Sequence, residues 1–459
     1  MALEYDVVVV GAGVAGLSAS WVLAKKGFRV LIVDNKPRDR IGDRACGDAI
    51  GKHHFDTLGW EPPSDVVNHY YKGALVVSPS EEYEIEVPGE GVSVDSLKFG
   101  QWLLHNALDS GAELLDKHIV VGVKVSEDRV EAVYARDRAS GELKEIKAKA
   151  FIDAGGAKPA FRLKLPDSWP IAEKPYMTDY NVAYREVIKP ENPVPEKYKD
   201  YVVIYMNPEI APGGYWWYFP KENGALVNIG LGVIWSTDNY NPKKRYDEFL
   251  KPRFPGKVVH AGGGLVPTRR PLPTLVWRNV GVVGDAAYTV NPVHGGGRGS
   301  SMLAGVIVGK YMGNALEAGR VDEETMWEAN IEYMKAYGAK QASLDILRMY
   351  LQKLSKNDLE FVFKKRIVDG RMILEMGEKG NLAEDIIRTL RSIIVLLGRP
   401  SLLNRLRIIK KYMDEAKKLY SEEYPETPSK LMEWMKRVDK LFNEYRDYIR
   451  FDPGPKVPW

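Results

Sequence analysis

The run Gly11-Ala12-Gly13-Val14-Ala15-Gly16 constrains this chain more than any other stretch. It follows an apolar segment, Tyr5 to Val10, and opens a segment of helical pattern, Leu17 to Lys26, after which RVLIVD reads as a second strand. Strand, Gly-rich turn, helix and strand make one βαβ unit, a crossover that commits the chain to a parallel sheet. Each glycine of the G-x-G-x-x-G spacing has its own reason. Gly11 permits the tight turn, Gly13 lets a pyrophosphate approach the backbone, and Gly16 brings helix and strand together. The helix N-terminus then faces the phosphates, and Asp34, ending the second strand, stands where a carboxylate accepts ribose hydroxyls. A dinucleotide site is expected.

The same fingerprint serves several dinucleotides, and a second segment, NVGVVGDAAYTVNPVHGGGRGSSM, discriminates between them. A strand ending at Gly284-Asp285 brings Asp285 to a ribityl or phosphate group. Asn291-Pro292 then turns the chain into Gly295, Gly296 and Gly297. Bare backbone N–H groups there, before a helix expected to start near Ser300, aim a positive helix end at an isoalloxazine carbonyl and stabilise an anionic reduced flavin. The expected cofactor is FAD. Return of the buried-strand pattern at Asn279 to Gly284 implies that the first domain is discontinuous.

Between these segments the pattern changes. Leu75 to Val94 alternates like strands, Leu97 to Ser110 is helical in pattern, and ELLDKHIVVGVKV and RVEAVYARD read as further strands. From Tyr176 to Gly264 aromatic strand-like pieces dominate, among them YVVIYM, YWWYFP and ALVNIGLGVI. The expected class is α/β. A discontinuous Rossmann-like FAD-binding domain covers residues 1–175 and 265–320, with strands near 70–95 contributing to the substrate side. Residues 176–264 form an inserted antiparallel β-sheet substrate domain, and 321–459 a helical C-terminal subdomain.

Composition narrows the function. With 65 Lys+Arg against 62 Asp+Glu the net charge is +3, too balanced to favour nucleic acid as a partner. The one cysteine, Cys46, excludes an intramolecular disulfide and a cysteine-rich metal site, fits a reducing cytosol, and leaves no metal expected. Tyr5 to Val10 is short, contains Asp6 and lacks a basic leader, so it reads as a strand rather than a signal peptide. No apolar stretch approaches the roughly 20 residues that cross a bilayer, so the expected location is cytoplasmic with at most peripheral membrane contact.

Three segments together resemble the geranylgeranyl reductase family, within the larger group of flavoproteins similar to para-hydroxybenzoate hydroxylase. They are GAGVAG, RIGDRACGD around Cys46, and PGGYWWYFP followed by GLG. The last is similar to the family's P-x-x-Y-x-W-x-F-P…G-x-G signature, here Pro212, Tyr215, Trp217, Phe219 and Pro220, then Gly230 and Gly232, with a spacer about one residue longer that the turn KENG absorbs. The resemblance covers nearly the whole chain and is closest to archaeal members that reduce isoprenoid chains of ether lipids. It implies that Ala15, Asp34, Ala45, Cys46, Gly47, Asp285, Gly297 and Arg298 lie against FAD. Many relatives carry an Arg before the helix that starts here near Phe99. This chain has Asp95-Ser96-Leu97, which makes Gln101 the substitute candidate, and Val120 is placed on the adenine side.

On a strand, Tyr215, Trp217 and Phe219 share one face, while Trp216 and Tyr218 share the other. One face then lines an apolar substrate tunnel, or both are core. Cys46 is either an inert small residue or a thiol working at the flavin. His294 either orients a flavin oxygen and moves a proton, or only bonds its own turn. The catalytic candidates are Cys46, Tyr215, Trp217 and His294.

The resemblance implies reduction of isolated double bonds in geranylgeranyl chains, with hydride from flavin N5, a proton from Cys46, Tyr215 or water, and an external reductant, NADPH-linked or ferredoxin-like. Two readings compete: a flavin monooxygenase of an aromatic or terpenoid substrate, and a non-catalytic flavin-carrying lipid-binding or electron-transfer protein. LRSIIVLLGR and LLNRLRIIKKYM pair apolar with basic positions, which fits a lipid surface, a cover over the substrate tunnel, or ordinary helix packing.

Overall fold

The computed structural model describes residues 3–380 and 400–459. Strand β1 (Leu3–Val10), helix α1 (Val14–Lys25) and strand β2 (Val30–Val33) form the βαβ unit, with β1 and β2 parallel from Val7 opposite Val30 to Val10 opposite Val33. Val7 to Val10 of β1 and all of β2 are buried on both faces, which is why they read as continuous apolar runs.

The chain then crosses to a second sheet through β3 (Ala49–Gly51), α2 (His53–Leu58), β4 (Val67–Val77) and β5 (Glu84–Val94). Helix α3 (Ser96–Asp109), capped by the Asp95 side chain accepting from the Lys98 N–H, returns it to the first sheet. There β6 (Glu113–Leu115) pairs with β2, followed by the antiparallel run β7 (His118–Ser126), β8 (Arg129–Asp137) and β9 (Leu143–Asp153).

The aromatic middle supplies β10 (Tyr180–Pro190), β11 (Tyr201–Tyr205), β12 (Tyr215–Lys221), β13 (Leu226–Ile234), the short helix α4 (Pro242–Arg245) and β14 (Gly256–Pro267). The second sheet runs β14-β10-β13-β12-β11-β4-β5-β3. It is antiparallel except where β11 lies parallel to β4, a join between two distant parts of the chain that no local pattern encodes. Strands β15 (Val276–Trp277) and β16 (Val280–Val282) rejoin the first sheet, β16 parallel to β9, and helix α5 (Arg298–Glu317) follows, starting two residues ahead of Ser300.

Helix α5 crosses α1 on bare backbone: a Cβ at Gly305 would stand 2.3 Å from the Ala15 carbonyl oxygen. The remaining chain is helical. The helix Pro400–Ser421, which contains LLNRLRIIKKYM, buries Ile409, Met413, Ala416 and Leu419 against the helix Ala339–Leu351. The segment LRSIIVLLGR lies outside the described residues. Among the described residues no helix is long and apolar enough to cross a membrane.

Candidate active site

The three fingerprint glycines divide as their spacing suggests. Gly11 has φ +111°, and a Cβ there would stand 2.3 Å from the Ala154 carbonyl oxygen. A Cβ on Gly16 would stand 2.0 Å from the Gly11 carbonyl oxygen, so helix and strand touch through it. A Cβ on Gly13, by contrast, meets nothing within 4 Å. Gly13 also caps α1 without any side-chain hydrogen bond, so free N–H groups face open space. Asp34 closes this space: its carboxylate accepts from the Ala12 N–H at 2.7 Å and the Lys36 N–H at 2.8 Å. Its carbonyl accepts from the His118 N–H at 2.9 Å, which sets β7 and the buried Val120 beside it. Gln101 donates at 2.8 Å to the carbonyls of Arg38 and Ile41, so its amide ties down the loop leading to Cys46.

The second flavin segment packs onto the first. Gly284 has φ +67°, and a Cβ there would lie 2.8 Å from the Ala15 Cβ. Next to it, the Asp285 carboxylate has Arg44 at 3.8 Å, and among the described residues no donor hydrogen-bonds it. Burial pushes its pKa above the ordinary value against the pull of Arg44. Beyond the buried Pro292, the Asn291 carbonyl accepts from the Gly295 N–H, and the Asn291 N–H donates to the Gly296 carbonyl, closing a turn that ends at Gly297. Gly297 caps α5 with no side chain, leaving the first N–H groups of that helix uncapped. An acceptor carboxylate without a donor, open space over Gly13 and two bare helix starts fit a dinucleotide-linked flavin.

The third element is the Cys46 loop against β12. Tyr215, Trp217 and Phe219 share one face, with successive ring centroids 6.0 and 6.1 Å apart. Trp216 turns to the opposite face and stacks on Tyr205 at 3.5 Å. The register explains the signature glycines: Tyr215 lies opposite Gly232, Trp217 opposite Gly230 and Phe219 opposite Asn228. A Cβ at Gly230 would strike the Trp217 ring at 2.4 Å. The longer spacer is taken up by Glu222, Asn223 and Gly224, all at positive φ. Gly47 lies against Phe219, where a Cβ would come 3.1 Å from the ring, and Ala45 lies against Gly262. The Tyr215 hydroxyl donates to the His294 carbonyl at 2.5 Å, joining the aromatic strand to the glycine turn.

His294 itself bonds locally. Its Nδ1 accepts from the Gly296 N–H at 3.1 Å. Its surroundings in the glycine turn desolvate the ring and, assisted by Lys340, lower its pKa, although the side chain keeps an edge exposed to solvent. Cys46 is half-buried, its carbonyl held by Asn228 at 2.7 Å and Arg185 at 3.2 Å, its sulfur 3.3 Å from Arg298 Nε. Burial pushes the thiol up, but Arg298, Arg44 and the Asp48 N–H together outweigh it and the pKa lies below its ordinary value.

Sequence reasoning missed Asp48, Lys221, Asn228 and Arg185, which hold this loop, and also His54. A Cβ on Gly299, in the first turn of α5, would stand 2.1 Å from the His54 ring. Burial, with the neighbouring His53 and Lys340, pushes the His54 pKa down to about 3. A histidine neutral when folded contributes stability above its unfolded pKa of about 6.5, and this is lost as pH falls towards the folded value. The unfolding midpoint is therefore expected to drop between pH 7 and 5, and less steeply in His54→Gln. Equal slopes in urea unfolding at several pH values would exclude His54 as a source. Among the described residues no group of three or more His, Cys, Asp or Glu is gathered to hold a metal ion.

A two-segment dinucleotide site opening onto an aromatic strand of a second sheet defines an FAD-dependent oxidoreductase. A family model described as FAD dependent oxidoreductase matches residues 6–157, and one for the geranylgeranyl reductase catalytic domain matches 179–266. The chain is 39% identical over 448 residues to the digeranylgeranylglycerophospholipid reductase of Sulfolobus acidocaldarius, covering 96% of this chain and 98% of that one. It belongs to the geranylgeranyl reductase family. Digeranylgeranylglycerophospholipid reductase 2 of Methanopyrus kandleri is 28% identical, over 82% of this chain and 96% of its own length. A geranylgeranyl bacteriochlorophyll reductase-like protein from Thermoplasma acidophilum shares the fold with TM-score 0.73 at 22% identity, covering 89% of this chain and all of that one. A myxobacterial chondrochloren halogenase shares it with TM-score 0.61 at 16% identity, covering 86% and 97%, so the fold alone does not choose a reaction.

Proposed function

We propose that this enzyme adds two hydrogens across isolated double bonds in the geranylgeranyl chains of an ether phospholipid. The observation that carries the reading is the ladder Tyr215/Gly232, Trp217/Gly230, Phe219/Asn228, an aromatic face with bare backbone beside it, set against the Cys46 loop and the glycine turn. Such a surface takes a slender apolar chain and excludes water.

When bound, FAD supplies the hydride. An isolated alkene has no carbonyl to polarise, so positive charge develops on the more substituted carbon, and the faces of Trp217 and Tyr215 stabilise it by roughly 1–2 kcal/mol in a dry site. The Tyr215 proton is committed to the His294 carbonyl, and burial pushes its pKa well above the ordinary value, so of the remaining candidates, the Cys46 thiol and water, we choose the thiol, whose pKa is lowered. Gly11, Gly13, Ala15, Gly16, Asp34 and Val120 hold the nucleotide half, while Asp285, Gly295 to Gly297 and Arg298 hold the flavin half. We divide the chain into the FAD domain at 1–175 and 265–320, the substrate sheet at 176–264 and the helical part at 321–459. An external reductant recharges the flavin. The exposed Arg407, Lys411 and Lys418, on the side of the helix Pro400–Ser421 away from its buried stripe, are the cations we assign to anionic headgroups of a lipid surface, Lys411 and Lys418 exchanging Glu415 and Glu423 for them.

Anaerobic photoreduction with a digeranylgeranyl phospholipid should reoxidise the flavin as the lipid gains about 2 Da per double bond. Reduced flavin that stays reduced beside unchanged lipid overturns the reading. Turnover that requires oxygen and adds oxygen to the lipid establishes the monooxygenase.

A further inference from the structure

Asp48 lies where four segments meet. Its carboxylate accepts from Lys221 Nζ at 2.8 Å, from Arg298 Nη2 at 3.0 Å, from Asn228 Nδ2 at 3.4 Å and from the Ser96 hydroxyl. The side chain is 4% exposed, and its ion-pair partners Lys221 and Arg298 are 6% and 5% exposed. The backbone takes φ +65°, a conformation that costs a non-glycine residue roughly 1 kcal/mol or more and that Asp tolerates better than most. The surroundings hold this carboxylate inward at that cost.

The same Arg298 that bonds Asp48 through Nη2 reaches the Cys46 sulfur through Nε at 3.3 Å. One guanidinium therefore stands between two groups that each favour it. We propose that Asp48, pinned by Lys221, is a positioning residue that divides the Arg298 guanidinium between its own carboxylate and the Cys46 sulfur, and so sets the protonation state of that thiol. The role at the flavin rests on the function proposed above; the charge division does not.

The groups around the thiol come from several elements: Arg298 from α5, Asp48 and Arg44 from its own loop, Arg185 from β10 and Tyr215 from β12, while Asp95 acts on Arg298. Burial pushes the thiol up, Arg298 and Arg44 pull it down, and Asp48 pushes it up again. For Asp48, burial raises the carboxyl, while Lys221 and Arg298 together hold it below its ordinary value. The carboxylate is thus a permanent negative charge that keeps part of Arg298 away from sulfur.

The test uses the FAD-loaded full chain and the pH dependence of iodoacetamide alkylation, which reports Cys46 alone because the chain has one cysteine. Asp48→Asn keeps the shape and the tolerance of positive φ but frees Arg298 for sulfur, so the alkylation midpoint is expected to fall by about one pH unit. Arg298→Gln leaves burial and Asp48 opposed only by the weaker pull of Arg44 and the Asp48 N–H, and should raise it by about one unit or more. Lys221→Met strengthens the hold of Asp48 on Arg298 and should raise it by a smaller amount. A scaffold role alone does not move the midpoint in opposite directions. An unchanged or raised midpoint in Asp48→Asn overturns the proposal; if that variant does not fold, an unchanged or lowered midpoint in Lys221→Met does so. Alkylation needs no turnover, so a failed lipid assay leaves this result standing, and a failed titration leaves the proposed function standing.

Discussion

Replacing Arg269 by Met is expected to lower stability at pH 7 by about 3 kcal/mol or more, because it takes the partner from the buried Asp179 carboxylate and from the half-buried Glu173 at once. The Arg269 guanidinium bonds Glu173 at 2.8 Å and Asp179 at 3.2 Å, and the side chains of Arg269 and Asp179 are 2% and 1% exposed. It also lies 4.7 Å over the Tyr288 ring, which Arg162 approaches to 4.9 Å. Tyr288 follows the turn carrying Asp285 and is held at φ +59°, so the loss reaches the flavin segment. For both acids burial raises the carboxyl, but Arg269, the largest of the opposing charges, together with Arg270 at Glu173 and with Arg348, Arg446 and Arg270 at Asp179, holds each pKa below the ordinary value.

The sign of the pH dependence follows. Acids whose folded pKa is depressed contribute stability above their unfolded pKa, about 4, and lose it as pH falls through the folded value. In Arg269→Met the folded values rise instead, so the deficit is wide at pH 7 and narrows below pH 4. Urea unfolding of both proteins at pH 7 and at pH 3.5 measures this. A deficit under about 1 kcal/mol, or one of equal size at both pH values, would count against the ion pairs as its source.

How much of this was legible in the sequence depends on how local the cause is. The Ala154 carbonyl that crowds Gly11 lies just past the distant strand β9, whereas Gly16 acts through a contact with Gly11 in the same turn, and its reason can be read from spacing alone. Alternation on β12 is likewise local, and the partition of Tyr215, Trp217 and Phe219 from Trp216 and Tyr218 follows from strand geometry. Why Gly230 and Gly232 accompany them is not local. It rests on the antiparallel register of β12 with β13, and only the resemblance pointed to it beforehand.

The Asp48 network was the least legible part. Arg298 lies 250 positions from Asp48 and Lys221 lies 173, and although the resemblance placed Arg298 against FAD, nothing local to either cation pointed to Asp48. The one local hint was an acid directly after Cys46-Gly47, where the chain must turn. The parallel join of β11 to β4 belongs with it, since each strand is patterned alike whichever partner it finds. Gln101 carries a structural use that sequence position alone does not show: its Nε2 donates to two loop carbonyls and so ties down the chain leading to Cys46.

Gly13→Ser is expected to leave the apoprotein as stable as before, or slightly more so, while weakening FAD binding by roughly 10- to 100-fold. Gly13 has φ −77° and ψ 175°, a conformation open to any residue, and a side chain there meets nothing within 4 Å. Serine is among the favoured N-cap residues, and its hydroxyl would accept from a free N–H of α1, a gain of order 1 kcal/mol at most over glycine. The same hydroxyl occupies the place and the donors that a pyrophosphate needs. Losing one charge-assisted hydrogen bond costs about 1.5–3 kcal/mol, and every 1.4 kcal/mol is tenfold in affinity. Gly16→Ala makes the contrast, since its Cβ would stand 2.0 Å from the Gly11 carbonyl oxygen and the backbone must shift. That variant should lose about 1–3 kcal/mol or more of stability with or without cofactor. Thermal unfolding of the apoproteins beside FAD titration by fluorescence quenching separates the two. If Gly13→Ser binds FAD as tightly as the parent, the open space over α1 is not where the pyrophosphate lies, and the nucleotide half of the site must be redrawn.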